Sequence, residues 1–480
     1  MYQKNYHIHF VGIGGIGMSG IAELLLTLGY KVSGSDLNAS PITDRLKSLG
    51  AIVHHGHDSA NIDAPDVIVT STAISSDNPE VTSARLKGVP VIPRAEMLAE
   101  LMRIKYAIAI SGAHGKTSTT AMVAQILNIA GLDPTVVVGG LMKSLGTNAL
   151  HGKGDYIVAE ADESDGSFLK YTPAIAAVTN IDLEHLDFYK DIEDIKATFI
   201  RFINSVPFYG LAVLCIDNEN IQDILPEIKV RYTTFGMAAQ ADLQAREITF
   251  KDNQGMFQVV HHGELLGRVR LSLAGRHNIS NALAAIAVAL ELKIPFETIK
   301  CALEKIEGVK RRMEVKGRLT LKIETKPEIE PEIETWENKK RADEIIVMDD
   351  YGHHPTEIRT TLQAIRESRP DRRMVVIFQP HRYTRTKALF DDFARAFYHS
   401  DMLITLPIYA ASEQPIEGVS SEELSSAITS HGHKDVTFAA DFPTCLSLIQ
   451  KRVRPGDLIL TLGAGNVYTL GEQFIEIMSQ

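Results

Sequence analysis

A chain of 480 residues is too long for one ordinary hydrophobic core, and at roughly 100 to 200 residues per domain it is expected to form about three. Hydrophobic residues at 45% and charged residues at 23% exclude disordered and fibrous classes. The net charge of −11 argues against a nucleic-acid partner, because a phosphate backbone is met by a basic surface; an anionic small ligand must therefore be held by local groups.

Cys215, Cys301 and Cys445 lie far apart with no Cys-x-x-Cys pair, which fits a reducing compartment and no disulfide or zinc framework. The apolar run from Ile8 to Leu28 is broken by glycines, Ser19 and Glu23, so it reads as strand, loop and helix rather than a signal peptide. No other stretch approaches the roughly 20 apolar residues of a membrane span. A cytoplasmic protein with no membrane partner is expected.

The first region, to about Arg103, alternates short apolar strands (Ile8 to Val11, Val67 to Thr70) with helical stretches, the pattern of a doubly wound parallel sheet. Gly12-x-Gly14-Gly15-x-Gly17 follows its first strand, and Asp36 ends the second near the distance of a dinucleotide fingerprint. The physical content is broader than NAD. Glycine lets backbone N–H groups approach a diphosphate, and a helix N-terminus favours its charge. NAD and a merely tight turn stay open as alternatives.

A second region opens with the apolar run Tyr106 to Ile110, a Gly/Ser/Thr loop, and a helix from Lys116 to about Ala130. The loop Gly112-Ala113-His114-Gly115-Lys116-Thr117 departs from the full phosphate-loop pattern because Ile110 holds the place of its first glycine. Its setting, with hydroxyls at Thr117, Ser118, Thr119 and Thr120, still predicts phosphate binding, with Lys116 on the outer phosphates and Thr117 on a metal. The bland alternative is a capped helix start. Strands over Tyr156 to Ala159, Ile175 to Thr179 and Leu211 to Leu214 follow. The first two end in the carboxylate-rich stretches Glu160 to Asp165 and Thr179 to Asp187, which suit magnesium once a phosphate loop is present. Gly275 to Asn281 introduces a helix of small apolar residues, Ala282 to Leu290, with a plain N-cap at Asn278 as the bland alternative.

A third region begins near Lys310, with strands at Ile345 to Met348, Met374 to Phe378, Leu403 to Leu406 and Leu458 to Leu462. Asp349-Asp350-Tyr351-Gly352-His353-His354-Pro355 ends one strand and Gln379 to Thr386 ends the next. Arg382 and Arg385, facing a histidine and the aspartates, form a candidate clamp for a carboxylate and a phosphate. Arg311-Arg312 is positioned to reach a terminal phosphate, with a surface ion pair as the alternative for each. The acidic, proline-bearing stretch Thr325 to Glu344 reads as an exposed loop or hairpin extension. Three α/β domains in series are expected: a Rossmann-like domain over 1–104, a phosphate-loop ATPase domain over 105–309, and a second Rossmann-like domain over 310–480.

Taken in order, Gly12 to Ser19, His114-Gly115-Lys116-Thr117, Glu160 to Asp165, His185, Arg276-His277-Asn278, Asp350 to Pro355 and Gln379 to Arg385 resemble the Mur ligases of bacterial cell-wall synthesis over nearly the whole chain. The resemblance implies a first domain that holds a UDP-sugar through Gly14, Gly15, Ile16, Gly17, Asp36 and Ser71. It implies a central domain that binds ATP through Gly112, Ala113, His114, Gly115, Lys116, Thr117 and Ser118, with Asn278 and Asn281 at the adenine. Thr117, Glu160 and His185 are implied as ligands of Mg2+, with Mn2+ possible in its place, and His353, Arg382 and Arg385 as the hold on the incoming amino acid. Arg312 is implied to stabilise the transferring phosphoryl group. Other members carry a carbamylated lysine about fourteen residues past the metal-binding histidine; that position here is Phe199, with Lys196 three earlier, so no such lysine is expected.

The implied substrates are ATP, UDP-N-acetylmuramate and L-alanine, joined through an acyl-phosphate, with closure of the last domain excluding water and His353 orienting or deprotonating the amine. A monomer or weak homodimer is assumed. The rival within the family is a recycling ligase that adds a tripeptide to the same sugar. Outside it stand an NAD-dependent dehydrogenase, which leaves the second loop unexplained, and a non-catalytic nucleotide-binding regulator.

Overall fold

The computed structural model describes residues 6–71, 73–138, 149–185, 188–251, 253–320 and 343–479. The acidic stretch expected as a loop over 325–344 lies outside them apart from its last two residues. Three sheets follow one another along the chain.

The first sheet has five parallel strands, β1 (His7–Val11), β2 (Lys31–Asp36), β3 (Ile52–His55), β4 (Val67–Thr70) and β5 (Val91–Pro93), in the order β3-β2-β1-β4-β5. β1 is buried throughout, as a strand covered on both faces by helices must be. The chain leaves β1 towards β2 on one side and reaches β4 on the other, so the crevice of this doubly wound sheet opens at the end of β1, where the Gly12–Gly17 loop lies.

The second sheet has ten strands: β6 (Tyr106–Ser111), β7 (Thr135–Val137), β8 (Ala149–Leu150), β9 (Tyr156–Glu160), β10 (Ile175–Val178), β11 (Leu211–Cys215), β12 (Tyr232–Gly236), β13 (Leu243–Lys251), β14 (Gln254–His261) and β15 (Glu264–Leu271). β6 runs between β9 and β10, parallel to both. The strands β12 to β15 have no counterpart in the sequence-based expectation. On β13 to β15 buried residues alternate with exposed Arg246, Lys251, Gln254 and Arg268, and such half-solvated strands lack the continuous apolar runs that mark the buried parallel ones.

The third sheet is β16 (Glu314–Thr320), β17 (Glu344–Asp350), β18 (Met374–Phe378), β19 (Met402–Thr405), β20 (Val436–Phe438) and β21 (Leu458–Leu462), in the order β16-β17-β21-β18-β19-β20, with only β16 antiparallel. Ile346, Met348, Val376 and Phe378 face one core while Ile345, Val347, Val375 and Ile377 face the other, the period-two alternation of a sheet with a helical layer on each side. The chain forms two compact units, one built on the first two sheets and one on the third. Cys215 and Cys445 are buried, and all three thiols are free. Among the described residues no helix is long and apolar enough to cross a membrane.

Candidate active site

The phosphate loop is built by the end of β6, Gly112 to Gly115, and the helix Lys116–Ile129. Both glycines are needed for shape. Gly112 (φ +127°) and Gly115 (φ +84°) lie in the left-handed region, and a Cβ would strike Thr179 Oγ1 at the first and Asn281 Oδ1 at the second. The loop is fastened to the residues after β10: His114 N donates to Asn180 Oδ1 (2.8 Å), while Thr179 Oγ1 (2.6 Å) and Asn180 Nδ2 (3.0 Å) donate to His114 O. His114 Nε2 lies 3.1 Å from Asp182. No side chain caps this helix, whereas Asp191, Ser420 and Asp441 cap other helices, so its first N–H groups stay open to an anion. Thr117 and Ser118 keep partial exposure; Thr119 and Thr120, also expected to meet phosphate, point into the core and are fully buried.

Lys116 does not project from the loop. Its ammonium donates to Gly112 O (2.7 Å) and Ala113 O (3.3 Å), and to both oxygens of Glu163 (2.9 and 3.0 Å). Burial alone would lower its pKa, but the charges of Glu163 and Asp162 raise it. His185 (φ +57°) turns Nε2 to within 3.6 Å of Glu163 and 3.7 Å of Glu184. Burial works against its protonation, yet those two carboxylates hold its pKa above the ordinary value. Atoms of Glu163, Glu184 and His185 lie within 4.8 Å of one another. Two carboxylates and an imidazole beside a phosphate loop fit a divalent cation, better Mn2+ than Mg2+ for the imidazole. Glu160, which ends β9, and Thr117, the second residue of the helix Lys116–Ile129, both expected as ligands, are not part of that group. Phe199 is buried against Phe168, and Lys196 pairs with Glu193 and Asp223.

Asn278 and Asn281 are buried on the helix Arg276–Glu291, which starts two residues before Asn278. Asn278 therefore lies in the first turn and does not act as the N-cap. Asn281 packs against Gly115 at the foot of the phosphate loop.

In the first loop Gly12 N and Ile13 N donate to Ser35 O (2.8 and 2.9 Å), and Gly14 N donates to Asp36 Oδ2 (2.8 Å). Asp36 Oδ1 accepts from Asn38 N, so this carboxylate shapes the loop with both oxygens. Gly15 precedes the helix that Ile16 and Gly17 begin, again without a side-chain cap. Ser71 lies beside Gly12, and Arg94, which the motifs did not reveal, sets its guanidinium against Gly17.

The second unit gathers His353, Arg385, His381 and Tyr409. The His353 and His381 rings are 6.0 Å apart, His381 stacks on Tyr409 (5.5 Å, 9°), and Arg385 Nη1 lies 3.4 Å from His381 Nδ1. Arg382 (φ +71°) ties the turn down by donating its N–H to Tyr409 O (2.9 Å). His353 Nδ1 lies 3.1 Å from Tyr351 O, so Nδ1 carries the proton and Nε2 the lone pair. Burial, reinforced by Arg385, pushes the pKa of His353 down to about 3 and that of His381 to about 4. Arg312 donates to Glu357 (3.1 Å) and lies over the Tyr351 ring.

The aspartates expected to face the arginine pair are used elsewhere. Asp349 binds Arg311 Nε (3.0 Å) and Thr461, while Asp350 accepts from Met313 N, Gly352 N and Thr361. Burial raises the pKa of Asp350 to about 6, and its backbone bonds fix the turns that carry Arg312 and His353. Glu163, Asn180, Arg94, Glu357 and Tyr409 are the site residues that motif reading left without a role. Glu163 and Asn180, like Glu184 of the candidate metal group, had a visible signal, their places in the two stretches already singled out.

Family models match nearly the whole chain: the Mur ligase family catalytic domain over residues 7–106, the Mur ligase middle domain over 110–289 and the Mur ligase glutamate ligase domain over 336–465. The UDP-N-acetylmuramate–L-alanine ligase of Desulforapulum autotrophicum is 67% identical over 479 residues, covering 100% of both chains. The solved UDP-N-acetylmuramate-alanine ligase of Thermotoga maritima is 29% identical with a TM-score of 0.78, covering 98% of this chain and 99% of that one. A murein peptide ligase from Psychrobacter arcticus, 24% identical over 99% of both chains with a TM-score of 0.68, shares the fold. The chain belongs to the Mur ligase family.

Proposed function

We propose that the protein is an ATP-dependent ligase that joins L-alanine to the lactyl carboxylate of UDP-N-acetylmuramate, releasing ADP and phosphate, in the cytoplasmic synthesis of peptidoglycan precursors. The observation that carries this reading is the full-length similarity, at 67% identity, to a relative named for that activity. Two separate glycine-opened helix starts, each on its own sheet, supply what two phosphate-bearing substrates need.

The carboxylate oxygen of the sugar attacks the γ-phosphorus of ATP, the bond to the ADP oxygen breaks, and an acyl-phosphate forms. Lys116 and the open N–H groups of the helix Lys116–Ile129 stabilise charge on the phosphates. Glu163, Glu184 and His185, with Glu160 and Thr117 at the neighbouring strand and helix ends, would hold Mg2+, whose charge would screen the phosphate oxygens. The alanine nitrogen then attacks the acyl carbon, the carbon–oxygen bond to phosphate breaks, and the proton lost by the nitrogen passes to the departing phosphate. Arg385 and Arg382 meet the alanine carboxylate. The lone pair on His353 Nε2 orients the amine; with a pKa of about 3 it is too weak a base to keep the proton. Arg312, fixed by Glu357, is assigned to the transferred phosphoryl group.

Incubation with ATP, Mg2+, the UDP-sugar and L-alanine is expected to release phosphate only when all four are present. Release indifferent to the sugar would sink the reading, and a tripeptide preferred over L-alanine would move the protein to the recycling branch.

A further inference from the structure

Glu163 is held firmly beside the phosphate loop. Its side chain is 3% exposed, both oxygens bind Lys116, and its backbone carbonyl accepts from the buried Tyr189 hydroxyl (2.5 Å). Lys116, itself only 17% exposed, has its three ammonium protons committed among Gly112 O, Ala113 O and Glu163, so it is folded back over its own loop. A nucleotide phosphate that takes Lys116 must break this pair. The abandoned carboxylate would then be buried without a full counter-charge, which is costly unless a cation arrives. The place for that cation is beside it, where His185 Nε2 stands 3.6 Å from Glu163 and Glu184 completes the group.

We propose that Glu163 is a positioning residue that latches Lys116 in the nucleotide-free chain and makes release of Lys116 to the phosphates depend on entry of a divalent cation. Nucleotide and cation then bind cooperatively because they exchange partners, phosphate for carboxylate on Lys116 and cation for ammonium on Glu163. Removing the carboxylate frees Lys116 in advance, so the variant binds nucleotide better without metal and gains less from metal. Removing a residue that served only as a metal ligand would show the second effect without the first. This inference rests on the central domain being the ATP site.

The test is calorimetric titration of the full-length protein with ADP, in EDTA and again in saturating MgCl2, for the native chain, Glu163→Gln and Glu163→Asp. For Glu163→Gln the metal-free Kd is expected to tighten about tenfold and the Mg2+ enhancement to shrink by a similar factor, within the usual range of coupling between sites. Glu163→Asp keeps the charge but, one methylene shorter, cannot hold both oxygens on Lys116; its metal-free Kd should fall between the other two. A metal-free Kd that is unchanged or weaker in Glu163→Gln overturns the latch, and if that variant does not fold, the same result in Glu163→Asp overturns it. Absence of ADP binding by the native chain in both buffers would instead remove the ATP-site assignment.

Discussion

His185 and His353 are both partly buried, yet their pKa values move in opposite directions. Burial depresses each; the difference lies in the neighbours. Around His185 the charged groups include Glu163 and Glu184, which outweigh the burial, so the phosphate-loop region is a place that collects cations. Around His353 the Glu357 carboxylate opposes the burial without outweighing it, while Arg385 there, and Arg385 with Arg382 around His381, add to the burial, so that region rejects further positive charge and suits an anion such as the carboxylate of an amino acid. The two regions thus divide the recognition problem. In the proposed reading the first exchanges cations against phosphate, while the other presents fixed cations beside neutral rings.

The largest effect expected from breaking this division is at Lys116. Lys116→Ala should lower turnover by at least about a hundredfold, the scale of losing one group that stabilises developing charge. Affinity for the UDP-sugar should change by less than about twofold, because the first loop is shaped by Ser35 and Asp36 and does not depend on Lys116. Phosphate release and calorimetric sugar binding check the two halves, and equal loss of both would mean that the two anion loops are misassigned.

Arg385→Ala removes the cation from the other region. A charged hydrogen bond is worth about 1.5–3 kcal/mol, so kcat/KM for L-alanine should fall by about ten- to a hundredfold while metal-free ADP affinity stays within about twofold. Unchanged alanine kinetics would show that the clamp lies elsewhere.

The smallest effect, and the most direct on the comparison, is read by NMR titration of the histidine rings, assigned with His→Gln variants. His353 and His381 should remain neutral from pH 8 down to pH 5, whereas His185 should take up its proton above pH 6.5. The signs for stability follow. The contribution of His185 is full below pH 6.5 and fades as pH rises through its raised pKa; those of His353 and His381 are full above pH 6.5 and fade as pH falls towards about 3 and about 4 respectively. In Arg385→Ala the His381 midpoint should move up, since one of the three causes that depress it is gone.

The local signals carried well. An apolar run followed by a glycine loop and a helix is visible in any sequence, and the expected strands Val67 to Thr70, Met374 to Phe378 and Leu458 to Leu462 coincide with β4, β18 and β21. Buried parallel strands advertise themselves by unbroken hydrophobicity. The polar hairpin strands of the central sheet do not, and the Asn278 cap failed because two further residues, Arg276 and His277, join the helix ahead of it.

By itself the sequence determined the succession of three α/β domains, the two glycine loops that open helices, and the stretches from which the candidate site is drawn, because each depends on residues adjacent in the chain. Only the tertiary structure decided partners. β6 lies beside β9 with Ile110 opposite Glu160, and this register brings the loops after the two strands together, so that Glu163 meets Lys116 across 47 positions. In the third sheet the pairing of β16 with β17 likewise directs Asp349 and Asp350 to the turn before β16, and Asp350 also to the turn after β17, where His353 comes to lie next to His381, which Arg385 approaches. The charge on a side chain is written in the sequence; what that charge faces depends on which strands are neighbours.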